Sequence, residues 1–220
     1  MREINYFEII HKYINPDSIA YRYYILHAVL VTAKAIKIGI KLGLSKDRLR
    51  FVEESSMLHD IGMIKTKDEE IGCFGDNPYL CHILEGQKIL EKEGLPMHAR
   101  VARSHIGVGI TKEEIIDKKL PLPEEDFLPE TLEEEIISYA DLFFSKDPKI
   151  IWQEKNYERV VKDIEKHGKE KLEILSKWHK NFSDQFALIS LTKTGSNPPV
   201  KSGQAKSPNP PLAGNRQSTG

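Results

Sequence analysis

The sequence predicts an all-α fold, a compact helical bundle. Three observations predict it. Apolar residues recur at spacings of three and four in one segment after another. Capping residues stand ahead of most of those segments. No stretch shows the sustained alternation or β-branched run that builds sheets. The chain has 220 residues, 40% hydrophobic and 30% charged, which is enough to bury a substantial core. A formal net charge of -1 gives no bulk attraction to nucleic acid or to an anionic membrane. Cys73 and Cys81 are too few for a disulfide framework or a thiolate zinc site. No apolar run of ~18 residues marks a membrane span and the first residues hold no cleavable apolar stretch, so the expected setting is a reducing cytoplasm. Residues 1–191 are expected to form one helical domain and residues 192–220 a disordered tail.

Residues 3–14 read as a short amphipathic helix with Ile4, Phe7, Ile10 and Ile14 on one side. Asn15-Pro16-Asp17-Ser18 breaks it and caps the next. That second helix, 18–42, is apolar nearly all round and belongs at the centre. His27 lies within it, with no acid on the same helix to pair with; a core histidine satisfied by a backbone carbonyl is the alternative to a functional one. Gly43-Leu44-Ser45 ends the helix, and Ser45 caps the one that leads to His59-Asp60-Ile61-Gly62. Adjacent helical side chains diverge by about 100°, so His59 and Asp60 are not expected to grip one ion from one direction. A helix end seated between two metal positions, with Asp60 bridging them, resolves this. Gly62 is expected to let the chain leave through a left-handed turn.

Residues 65–77 read as a charged loop, and Asn77-Pro78 opens a helix over 78–93. His82 lies near its start, and Gly86 one turn on bares the backbone for close approach. After the corner at Gly94-Leu95-Pro96, a short helix over 97–105 ends at His105, just before Gly107 and Gly109, where a side chain can project into a cleft. His98, seven residues earlier, is expected at the surface or behind the functional groups. Thr111-Lys112-Glu113-Glu114 and Thr131-Leu132-Glu133-Glu134 are capping boxes, separated by a surface loop from Leu120 to Pro129. The second box starts a helix running through Phe144 whose apolar stretch is interrupted by Asp141. A carboxylate there is costly unless it is paired, metal-bound or turned to solvent. Residues 150–190 read as one or two further helices with Ile164, Leu172, Leu175, Trp178, Phe182 and Phe186 as an inward stripe. From Thr192 onward the chain has no acid and is dense in Pro, Gly, Ser and Asn, a composition that cannot build a core.

His27, His59, Asp60, His82, His105 and Asp141 supply four imidazoles and two carboxylates. That set suffices for a two-metal centre that lowers the pKa of bound water and clamps attacking and leaving oxygens. Imidazole with carboxylate suits Mn, Fe, Co, Ni or Zn. The run His59-Asp60-Ile61-Gly62 resembles the signature of the HD-domain superfamily, and the body resembles its HDIG subgroup. His82-Ile83-Leu84-Glu85-Gly86 resembles that family's second-histidine helix, and Tyr139-Ala140-Asp141 its terminal-aspartate helix. The resemblance covers residues 20–146. It implies that His27, His59, Asp60 and Asp141 hold one metal while Asp60, His82 and His105 hold a second. It also implies a metal-dependent hydrolase of a nucleotide or other small phosphoester, in which metal-activated water attacks phosphorus and Asp60 bridges.

One position departs from the family. Many HDIG proteins carry Lys or Arg directly after the glycine, and here that place is Met63. Lys65, the nearest cation, is expected to contact the phosphate, with Arg100, Arg103 and Lys146 as alternatives. The missing Gly-Tyr-Pro signature disfavours the cyclic-dinucleotide phosphodiesterase branch. Two other readings stay open, a di-iron HD-domain oxygenase and a non-catalytic ligand-binding protein. Neither the substrate nor the oligomeric state is legible.

Overall fold

A computed structural model describes residues 3–183. The tail expected over 192–220, Phe186 and the end of the 150–190 helical stretch lie outside the described residues.

Helix α1 (Tyr6–Tyr13) starts at Asn5, whose side chain accepts from Glu8 N. It buries Ile10 and Ile14 but leaves Phe7 exposed. Ile4 N donates to Glu54 Oε1 at 3.2 Å and Tyr6 OH to Glu53 Oε1 at 3.0 Å, pinning α1 to the third helix. Helix α2 (Ile19–Lys41) is capped by Ser18, which accepts from Tyr21 N. Its buried residues Ala20, Tyr24, His27, Val31, Ala35 and Ile38 fall three and four apart and share one face, which Ala28 widens. By length and composition α2 could cross a membrane, which corrects the expectation that no segment reaches that length. Here it is the core helix, packed against α3 (Lys46–Leu58) and α7 (Leu132–Asp141).

Helix α3 is capped by Ser45 and stops at Leu58, with His59 as its C-cap. A 3-10 segment, Ile61–Lys65, continues from Asp60. The left-handed turn expected at Gly62 is absent, since Gly62 is not among the glycines with positive φ. Its need for glycine is a close approach instead. A Cβ at Gly62 would lie 2.0 Å from His82 O and 2.2 Å from Gly86 N, so the bare backbone lets α4 (His82–Lys92) rest directly on the 3-10 segment. The loop expected over 65–77 contains a small antiparallel ladder, β1 (Lys67–Asp68) with β2 (Cys73–Phe74). A 3-10 turn, Tyr79–Cys81, then leads into α4.

Helix α5 (Pro96–Ser104) packs on α4, and α6 (Lys112–Lys118) follows a reciprocal capping box between Thr111 and Glu114. The second expected box is only half formed. Thr131 accepts from Glu134 N, but the Glu134 carboxylate turns back to Glu130 N at 2.7 Å and to Arg100 at 3.0 Å. The loop from Leu120 to Pro129 is not wholly at the surface, because Phe127 is fully buried and exchanges backbone hydrogen bonds with Ile110. Helices α8 (Tyr157–Glu165) and α9 (Lys169–Phe182) close the described chain. Residues 150–156, expected as helix, form turns and irregular structure.

Two large apolar cores result among the described residues, beside a smaller third cluster of Ile83, Ile115, Leu122 and Phe127. Ile10, Ile14, Tyr24, Met57, Leu58 and Leu90 belong to one, and Val31, Phe51, Ile137, Tyr139, Leu175 and Trp178 to the other. Each such side chain contributes about 1.5–3 kcal/mol when buried. Helix α2 runs through both, and His27 falls between Tyr24 of one core and Val31 of the other.

Candidate metal centre

The side chains His27, His59, Asp60, His82, His105 and Asp141 come from α2, the end of α3, the start of α4, the end of α5 and the last residue of α7. All but Asp141 are at most 3% exposed; the Asp141 side chain is 18% exposed. They form two groups, His27 with His59, Asp60 and Asp141, and Asp60 with His82 and His105. Within each group one ligand atom per residue lies within 4.8 Å of every other.

Three of the four histidines are oriented by the same device. His59 Nδ1 donates to Ser56 O at 2.6 Å, His82 Nδ1 to Tyr79 O at 2.7 Å and His105 Nδ1 to Ala102 O at 2.9 Å. A carbonyl only accepts, so in each ring the proton sits on Nδ1 and the Nε2 lone pair is free when the ring is neutral. All three residues stand at helix boundaries; Ser56 and Ala102 lie in the last turns of α3 and α5, where carbonyls lack a helical partner, whereas Tyr79 O also accepts from His82 N. A hydrogen bond from the ring nitrogen away from the cluster is the usual way a metal-binding imidazole is held. His27 is in mid-helix, and neither of its ring nitrogens makes a hydrogen bond among the described residues. The alternative of a core histidine satisfied by a carbonyl is therefore not what the structure contains.

Asp60 divides its oxygens between the groups. Oδ2 lies 3.1 Å from His27 Nε2 and 3.1 Å from His59 Nε2, while Oδ1 lies 3.4 Å from both His82 Nε2 and His105 Nε2. Asp141 Oδ1 lies 2.9 Å from His27 Nε2 and 3.7 Å from His59 Nε2. His59 and Asp60 thus serve one group together, against the expectation from helical divergence. The helix has ended by then, and Asp60 has left helical geometry at φ -101° and ψ 7°.

Close as these atoms are, His27 Nε2, His59 Nε2 and both Asp60 oxygens have no partner in hydrogen-bond geometry. His82 Nε2 and His105 Nε2 face each other at 3.1 Å, two lone pairs if both rings are neutral. Buried polar atoms left in this state are costly. A cation among these ring nitrogens and carboxylate oxygens would satisfy them, so the donor set fits divalent transition metals.

The charges respond to this crowding. Burial lowers the His59 pKa, but Asp60 and Asp141 outweigh it and raise it to about 10. Burial lowers His82 to about 3, with His105 and Lys146 adding to the effect and Asp60 opposing it. Burial works against ionised Asp60, yet Lys146 and His59 hold it well below the usual carboxylate range. Asp141 is likewise held low, by His27 and His59 against the effect of burial.

Lys65 is not brought to the cluster; it is exposed at the end of the 3-10 segment. Arg100 pairs with Glu130 and Glu134, and Arg103 with Glu125. The cation that reaches the site is Lys146, whose Nζ lies 2.5 Å from Asp60 Oδ2. His98, expected at the surface or behind the site, is buried and pairs with Glu54 at 3.2 Å. Sequence reading missed Tyr24, whose hydroxyl donates to Met57 O at 2.6 Å and ties α2 to the end of α3. It also missed Tyr79, whose ring packs 4.8 Å from that of His82. The signal for both is a tyrosine three residues ahead of a clustered histidine.

A family model described as HD domain matches residues 24–145. Among curated proteins, the tRNA (cytidine(56)-2'-O)-methyltransferase of Picrophilus torridus is 37% identical over 99 residues, covering 44% of this chain and 25% of that protein. Its namesake from Thermoplasma volcanium is 30% identical over 178 residues, 80% of this chain and 45% of that protein. An uncharacterized protein of Methanocaldococcus jannaschii is 36% identical over 119 residues, 52% of this chain and 62% of that protein. The chain therefore spans a quarter to about three fifths of the curated relatives it matches. Among solved structures, the HD domain of the L. monocytogenes phosphodiesterase PgpH is similar with a TM-score of 0.47 at 16% identity, over 86% of this chain and 98% of that one. The same domain in complex with cyclic-di-AMP gives 0.47 at 15%, over 88% and 99%.

Proposed function

The chain belongs to the HD-domain family, and from that premise we propose that it is a metal-dependent hydrolase of a nucleotide or other small phosphoester, working with two divalent transition-metal ions. The observation that carries this reading is the division of Asp60, one oxygen toward His27 and His59 and the other toward His82 and His105. A carboxylate shared between two histidine pairs suits two cations held close together.

When bound, such ions lower the pKa of water toward neutrality and offer positive charge to phosphoryl oxygens. The chain's own residues do the rest. His27, His59, Asp60 and Asp141 would hold one ion, and Asp60, His82 and His105 the other. Ser56 O, Tyr79 O and Ala102 O keep three imidazoles turned inward with their protons on the far side. Burial excludes water from every ligand but Asp141, so substrate enters on the Asp141 side. Lys146, not Lys65, stands there to meet a phosphoryl oxygen. Cys73 and Cys81 are buried free thiols, which accords with a reducing compartment.

The test is phosphate release from a panel of nucleotides, sugar phosphates and phosphodiesters with each of Mn, Fe, Co, Ni and Zn. The names of two relatives put phosphorylated tRNA fragments in that panel. Metal-dependent release that Asp60→Ala abolishes is the expected result. Release that persists in Asp60→Ala moves the active site elsewhere, and oxygen consumption by iron-loaded protein replaces this reading with an oxygenase.

A further inference from the structure

Lys146 follows α7 by five residues, in an irregular stretch between Phe144 and Asp147. Its side chain is 15% exposed and its ammonium lies 2.5 Å from Asp60 Oδ2. It lines a cavity of about 410 Å³ with Tyr79, Phe144, Asp68, Glu70 and Asp147, and it is the one cation among the residues lining that cavity. The same Asp60 oxygen is approached by His27 and His59, each at 3.1 Å. An ion held by those histidines and the ammonium would therefore compete for one atom. Like charges that close repel strongly away from bulk water, so both cannot keep full contact. A lysine stem is flexible and its head is a compact point charge, which allows it to yield while the surrounding helices stay in place.

We propose that Lys146 is a displaceable counter-cation, which neutralises Asp60 in the metal-free chain, competes there with metal, and on displacement into the cavity receives the phosphoryl oxygens of the substrate. The second step rests on the phosphohydrolase reading, whereas the first does not. The other ionisable groups named on the cavity wall are three carboxylates, Asp68, Glu70 and Asp147. A substrate presenting a single phosphoryl group to Lys146 fits that wall, and a polyanion is repelled by it.

Lys146→Met keeps an unbranched apolar stem and removes the charge. Manganese binding to the metal-free protein, followed by calorimetry, is expected to tighten about tenfold or more in this variant, equivalent to ~1.4 kcal/mol. Binding of inorganic phosphate to the manganese-loaded protein is expected to weaken by about the same factor. Lys146→Arg, which keeps the charge, should retain phosphate binding. Manganese binding that is unchanged or weaker in Lys146→Met, with a wild-type circular dichroism spectrum, overturns the competition. Phosphate binding that is unchanged overturns the substrate role. Should Lys146→Met fail to fold, Lys146→Gln carries the same two measurements. A wild-type protein that binds phosphate through Lys146 yet hydrolyses no phosphoester defeats the phosphohydrolase reading and with it the substrate role, and leaves the competition with metal standing.

Discussion

Two groups of buried charges in this molecule are satisfied in opposite ways. Lys171, 7% exposed, donates to Gly109 O at 2.7 Å and pairs with the Glu114 carboxylate. Glu114 in turn accepts from Thr111 N at 3.0 Å and from Lys118 at 3.1 Å. Every charge there has a partner supplied by the chain. In the cluster around Asp60, the imidazole nitrogens and carboxylate oxygens lie as close together but do not align as hydrogen bonds. The first arrangement is complete in itself and serves the fold. The second keeps buried ring nitrogens and carboxylate oxygens without hydrogen-bond partners even though Lys146 reaches Asp60, and that difference makes it the candidate functional site.

The comparison breaks most visibly at Asp60. Asp60→Ala removes a ligand from both groups, and losing several kcal/mol of charge stabilisation corresponds to a rate loss of about a thousandfold or more. The helical bundle should stay folded, which circular dichroism would check. Residual activity within about tenfold of wild type, a barrier change of only ~1.4 kcal/mol, would show that the open cluster is not where the chemistry occurs.

Gly62→Ala tests the site without touching a ligand. The added methyl would meet the backbone of His82 and Gly86 and push α4 away, costing about 1–3 kcal/mol as overpacking does. Because α4 carries His82 and not His27, the metal held by the second group should weaken more than the first. Equal weakening of both, in a metal titration, would mean that the two groups are not mechanically separable.

Lys171→Met opens the closed cluster instead. Removing one partner of a buried pair costs about 3–5 kcal/mol, and the 19% exposure of the Glu114 side chain reduces that to about 2 kcal/mol in a denaturant titration. Metal content and metal-dependent activity should be unaffected. A smaller, pH-resolved effect belongs to Glu114. Burial raises its pKa, but Lys171, Thr111 N and Lys118 outweigh that and hold it below 4.5. Its folded pKa is depressed, so its contribution to stability is present above the unfolded value and is lost as pH falls through the folded one. Glu114→Gln should therefore flatten the acid limb of the stability curve below about pH 4.5, near the ordinary carboxylate range. An acid limb identical to wild type would mean that the pair does not hold the Glu114 proton off.

The all-helical architecture was legible because capping and helical spacing are local signals. Ser18, Ser45 and Thr111 each cap the helix that their position announces. The six clustered residues were legible through their spacing and family resemblance. What could not be read was anything that depends on contact between distant segments. Gly62 looks in sequence like a helix-ending glycine, and only the approach of α4 reveals that its missing Cβ is needed for packing. Glu134 has capping-box spacing, but Arg100 from another helix draws its carboxylate away. Lys65 is nearer in sequence to the signature than Lys146, and it is Lys146 that the turn after α7 delivers to Asp60. The carbonyls of Ser56, Tyr79 and Ala102 orient three rings through backbone atoms, on which side-chain identity leaves little trace.

The central claim is that the open cluster around Asp60 is closed by two cations, and metal content per chain tests it most directly. Reconstituted protein freed of loosely bound metal should hold two ions in wild type, one in the His82→Ala, His105→Ala double variant, and less than one in Asp60→Ala. Asp141→Ala should weaken the first ion and leave the second in place. No bound metal in wild type, or the same content in all four proteins, would contradict the account.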